Sequence, residues 1–213
     1  MHRNNKSVVA STIAVIIVMV LASIKPLEWS SYLLHQLGTL LFLAFMLTAY
    51  RYRYISSRSY LFASLFLMVH IIGARYLYSY VPYNDWTQRL FGIRLDELFG
   101  WQRNMYDRLV HFSYGLLLLS AMVESSKSVF HIQSTKLLIA IALMINMSSS
   151  LLYELLEWGI ASTLSPEAAE AYNGQQGDIW DAHKDMALAL LGGLIAAGVI
   201  LFKTRNNQVN TQE

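Results

Sequence analysis

Asp107, His111, Glu154, Glu157, Asp181 and Asp185 are the residues whose types and spacing could do chemistry. Asp107 and His111 stand four apart, so a helix would put both on one face. Glu154 and Glu157 continue a polar stripe that begins at Asn146 and Ser150. Asp178, Asp181 and Asp185 repeat the same spacing further on. Carboxylates with an imidazole suit a divalent metal as cofactor: Mg²⁺, Mn²⁺ or Ca²⁺ with oxygen ligands, Zn²⁺ if the histidine joins. Closely placed carboxylates can also work as an acid and base pair. His70, Arg108, Asp178 and Lys184 are candidate supporting residues. A structural reading stands beside this one. Arg75, Arg108 and Lys184 could pair with the acids and do no more than fix helix packing.

Other chemistries are excluded or weak. The chain has no Cys, so thiolate metal sites, Cys nucleophiles and disulfides are out. No dense ligand motif such as HExxH occurs. Gly174-Gln175-Gln176-Gly177 is too short for a phosphate loop and reads as a turn entering a helix, with Asp178 as its N-cap. A net charge of +2 is too weak a bias for a nucleic-acid partner.

The elements that must position these residues follow from composition. Of 213 residues, 55% are hydrophobic and 14% charged, against about 25% charged in a soluble domain. Apolar runs recur along the whole chain. They predict an all-α, polytopic membrane bundle forming one domain over 1–213, with six transmembrane helices near 7–25, 29–50, 59–80, 105–124, 136–160 and 181–203. Isolated strands are excluded, because they leave backbone groups unpaired in lipid. The first run also has the basic start and small-residue end of a cleavable signal. The segment 82–106 mixes apolar and charged residues and predicts one or two short interfacial helices. Tyr76, Tyr78, Tyr80, Tyr83 and Trp86 read as an aromatic belt.

Lys and Arg set the orientation. Arg3, Lys6, Arg51, Arg53, Arg58, Lys127, Lys136, Lys203 and Arg205 fall in alternate connections and at both ends. The positive-inside rule makes these cytoplasmic, termini included. Counted from the cytoplasmic charge of each helix, Arg58, Glu124, Lys136 and Lys203, the residues Arg75, Asp107, Glu154 and Asp185 all lie about 25 Å away, at one depth near the outer face. Of the 14 acids, only Glu124 and Glu213 belong to the cytoplasmic side. Charges inside spans face a bundle interior or a water-filled cavity. His35 is alone on its helix and reads as a packing residue.

Three segments resemble a known family. They are His70-Ile71-Ile72-Gly73 with Tyr76, Tyr78, Val81 and Pro82; the run Arg103 to Phe112 with Gly115; and Tyr153 to Trp158 with Gln176 to Asp181 and Lys184-Asp185-Met186. Together they resemble the YjdF-like bacterial inner-membrane proteins, over most of the chain. The resemblance implies a multi-pass inner-membrane location and no particular reaction. Arg75 stands where that family suggests His, and His183 where it suggests Gln. The Asp107, His111, Phe112 pattern with Glu154 or Glu157, then Asp181 or Asp185 with Gly192, also resembles the VanZ-like membrane proteins.

Three functions are compatible with these residues. One is an envelope enzyme whose carboxylate and His pocket takes a lipid-linked, phosphate-bearing or periplasmic small-molecule ligand. The second is a transporter or proton-coupled carrier. The third is a non-catalytic membrane scaffold.

Overall fold

A computed structural model describes residues 4–209. Its elements are α1 (Asn5–Ala22), α2 (Trp29–Arg51), α3 (Ser57–Arg75), α4 (Tyr83–Phe91), α5 (Leu95–Phe99), α6 (Tyr106–Phe130), α7 (Thr135–Ala161), α8 (Pro166–Asn173) and α9 (Asp181–Val209). No strand occurs among the described residues. The helices α1, α2, α3, α6, α7 and α9 are long and apolar enough to cross a membrane. Large apolar side chains such as Leu41, Phe45, Met144 and Phe202 point outward. That is the pattern of a surface solvated by lipid.

Polar groups do much of the packing inside this shell. Helix α1 meets α3, where Thr12 and Tyr60 share a hydrogen bond of 2.7 Å. Helix α2 lies on α3, and α3 joins α6. Glu124 on α6 accepts hydrogen bonds from the Ser56 amide and hydroxyl, at 2.6 and 2.8 Å, and so anchors the start of α3. At the start of α2, Glu28 accepts from the Ser30 and Ser31 amides. Those hydrogen bonds, with the Ser30 hydroxyl first, hold its carboxyl down to about 2.

The tightest contact is between α6 and α9. A Cβ at Gly115 would collide with the Ala189 carbonyl, and one at Gly192 with the Phe112 carbonyl. Glycine at these two positions lets the backbones touch, which is how small residues drive helix association in lipid. The close approach brings the polar start of α9 against the polar start of α6. Helix α7 then packs on both.

Three differences from the sequence-based expectation have physical causes. Helix α3 ends at Arg75 rather than near residue 80. Leu77 and Tyr78 adopt positive φ of 49° and 53°, and the chain turns back. The Tyr78 ring lies over Gly73, at 2.5 Å from where a Cβ would be, and its hydroxyl meets His70 Nδ1 at 2.9 Å. Tyr78 is therefore buried and no part of an interfacial belt. Helix α8 was not expected. Its signal was Ser165 before Pro166: proline suits the first helical position, and the Ser165 hydroxyl accepts from the Ala168 amide. Finally, α9 runs past residue 203. The short helices α4 and α5 occur as expected, each ending at a glycine with positive φ, Gly92 and Gly100.

Candidate functional site

At one end of the bundle, the starts of α6 and α9, the end of α7 and Asp178 in the turn before α9 bring six acids together. The connections α5–α6 and α8–α9 close over them. The Asn104 amide donates to Gln176 Oε1 at 2.8 Å, and Gln176 Nε2 donates back to the Asn104 carbonyl at 3.1 Å. Gly174, with φ 67°, passes close to Asp107 and Ser79. The turn expected from 174–177 is thus a latch between two loops.

The acids fall into two groups. The first is tied to basic side chains. Arg108 Nη2 lies 2.6 Å from Asp181 Oδ1 and 3.1 Å from Asp178 Oδ2, and Arg108 Nη1 lies 2.6 Å from Asp185 Oδ1. Nη1 also donates to the Asp181 carbonyl at 2.9 Å. Arg103 adds a contact of 2.7 Å to Asp181, and Lys184 one of 2.7 Å to Asp178. The Lys184 hydrogen bond first, then the Trp180 amide, hold the Asp178 carboxyl below its ordinary value. Asp178 caps the turn ahead of α9, through the Trp180 amide, and not α9 itself.

The second group has no such partner. His111 stands between two acids: Nε2 is 3.7 Å from Asp107 Oδ1, and Nδ1 is 3.7 Å from Glu154 Oε1. Among the described residues, no Lys or Arg lies within 4.0 Å of Asp107, Glu154 or Glu157. The Glu154 side chain is only 9% exposed, and its Oε1 makes no hydrogen bond. Deeper along α7, Asn146 is fully buried with both amide atoms unpartnered, as is the Ser150 hydroxyl. Asn146 faces Gly193 of α9.

A cavity of about 300 Å³ opens beside these acids. Glu154, Glu157 and Asp181 form its polar wall, while Leu151, Leu155 and Trp158 form an apolar one. Leu155 and Trp158 are 50% and 69% exposed, so this wall continues onto the lipid-facing surface.

Other candidates go elsewhere. Arg75 does not pair with an acid. It donates to the Leu21 carbonyl at 2.6 Å and lies over the Tyr76 ring. His70 belongs to a ring cluster with His35 and Tyr78, not to the acids. His35 is buried and packs as expected, stacking on Tyr172 at 5.0 Å, with its Nε2 unpartnered. Arg103 was missed as a site residue. Its signal was the run Arg103-Asn104-Met105-Tyr106-Asp107-Arg108, which carries two cations just before and within the first turn of α6.

Six candidate spans, with a buried cluster of acids and a histidine at one end, define a helical multi-pass membrane protein. More particularly, the chain belongs to a family described as predicted membrane protein (DUF2238), which matches residues 7–206. It is 32% identical over 136 residues to Inner membrane protein YjdF of Escherichia coli (strain K12), covering 63% of this chain and 61% of that protein. The matched part thus spans less than two thirds of the relative. No solved structure matches the chain. Family, spans and relative agree on a multi-pass inner-membrane protein.

Proposed function

We propose that the protein is an envelope enzyme acting on a lipid-linked substrate. The observation that carries this reading is the amphiphilic cavity. Its apolar wall merges with the lipid-facing surface, and its polar wall holds Glu154 beside His111. An amphiphile could place its tail along Leu155 and Trp158 and its polar head against the acids. The distribution of Lys and Arg supports assigning this end to the extracytoplasmic side.

In this reading Glu154, on the cavity wall, exchanges a proton with the substrate head as acid and base, with His111 holding it from behind. Glu157 and Asp107 set the surrounding field. Arg108 and Arg103 hold Asp181 and Asp185 in place. A phosphate-bearing head would be repelled by so many acids unless a cation intervened.

Lipid analysis of cells lacking the gene tests this. Wild-type protein should shift the level of at least one lipid or lipid-linked species. Asp107→Asn and Glu154→Gln should accumulate in the membrane to the wild-type level yet fail to restore that species. Restoration by both variants, or no lipid change on deletion, would overturn the reading.

A further inference from the structure

We infer that Asp107, His111 and Asp185 bind one divalent metal ion, with Glu154 holding the histidine from behind. This deepens the enzymatic reading by naming the cation that a phosphate-bearing head would require, and it rests on that reading for its purpose. The site itself rests on geometry and charge.

The geometry is a three-residue set. One ligand atom from each of Asp107, His111 and Asp185 lies within 4.8 Å of the other two, and all three residues are buried. Tetrahedral ligands on bonds of about 2.1 Å lie about 3.4 Å apart, so closure needs side-chain shifts of up to roughly 1.4 Å. His111 presents Nε2 toward Asp107, and Nδ1 faces Glu154. A carboxylate behind the far nitrogen of a metal-bound imidazole fixes its tautomer and raises its basicity. Glu154 Oε1 is buried, lacks a hydrogen bond and lies 3.7 Å from that nitrogen. Asp185 Oδ1 lies 2.6 Å from Arg108, so this carboxylate would be shared between the guanidinium and the ion.

Charge balance points the same way. The cluster contains six acids, Asp107, Glu154, Glu157, Asp178, Asp181 and Asp185. The basic groups within reach are Arg103, Arg108 and Lys184, and all three contact only the last three acids. Buried charge without compensation is strongly unfavourable. A divalent cation at Asp107 supplies compensation that none of those side chains gives it, where the alternative is a neutral, protonated carboxyl. Two carboxylates and one imidazole are a mixed oxygen and nitrogen set, which suits Mn²⁺ or Zn²⁺ better than Ca²⁺.

The test is metal binding by the full chain, purified in detergent and stripped with a chelator. Titration with Mn²⁺ alone and Zn²⁺ alone, followed by equilibrium dialysis and elemental analysis, should give one ion per chain. Asp107→Asn and His111→Ala should each reduce affinity at least 100-fold. Glu154→Gln should reduce it about 10- to 100-fold, as loss of an outer-shell carboxylate does. His131→Ala, at the far end of α6, should bind as wild type does. A thermal melt of each stripped variant separates lost binding from lost folding. A folded wild-type protein that binds neither ion, or undiminished binding by Asp107→Asn and His111→Ala, overturns the site. If metal binding fails while Glu154→Gln still fails to restore the lipid species, the metal proposal falls and the enzymatic reading stands. If metal binds but both acid variants restore it, the reverse holds.

Discussion

Two halves of one polar cluster have opposite electrostatics. Around Arg108, every acid has a cation at 3.1 Å or closer. Around His111, Asp107 and Glu154 stand at 3.7 Å from an imidazole and meet no Lys or Arg among the described residues. The halves share α6, with α9 and the loop before it completing the first and α7 the second, and the acids beside Arg108 and His111 on these helices are similarly buried. Burial alone therefore does not explain the difference. The Arg108 half behaves as a clamp that fixes α9 against α6 and against the loop latch. The His111 half should contribute little to folding that a neutral side chain could not. Natural proteins keep such arrangements where function requires them, at a cost in stability.

The strongest way to break the clamp is Arg108→Ala. It leaves Asp181 and Asp185 buried without their main partner, and should cost about 3–5 kcal/mol. Membrane accumulation and the melting temperature should both fall. Next comes Gly115→Val, which forces α6 away from the α9 backbone and should cost about 3 kcal/mol, the upper range for overpacking. It should damage both halves, because that contact sets their spacing. Glu154→Gln sharpens the contrast. It should change stability by less than about 1 kcal/mol, since no hydrogen bond to Oε1 is lost, while removing function.

The smallest effect lies outside the cluster. The Glu28 carboxyl is lowered from 4.5 to about 2 by hydrogen bonds at the start of α2. Its contribution is complete above the unfolded value near 4.5 and is lost as pH falls toward 2. Glu28→Gln should cost about 0.5 kcal/mol at pH 7. That penalty should vanish in melts recorded at pH values approaching 2.

Much of this was legible in the sequence, for definite reasons. Lipid demands long uninterrupted apolar runs, so the six spans announce themselves. Depth along a helix is a simple count, so the common level of Asp107, Glu154 and Asp185 could be read before any contact was known. Pairing could not. Arg75 and Arg108 lie at similar depth, yet Arg75 caps the end of α1 and Arg108 reaches three acids. That choice depends on which helices touch, set by Gly115 and Gly192. The return of Tyr78 over Gly73 was hidden too, because it rests on two residues with positive φ that are neither glycine nor asparagine. The stacking of His35 on Tyr172 came through α8, a helix whose sole sequence mark was Ser165-Pro166.

The division into clamp and site is tested most directly by comparing two double variants of the chelator-stripped protein in one thermal melt. Asp181→Asn with Asp185→Asn removes acids from the clamp. Asp107→Asn with Glu154→Gln removes them from the other half. The account expects the first to melt below wild type by an amount equivalent to about 3–5 kcal/mol, and the second to melt at or above wild type. The opposite order would show that the acids around His111 hold the fold together, and would contradict the account.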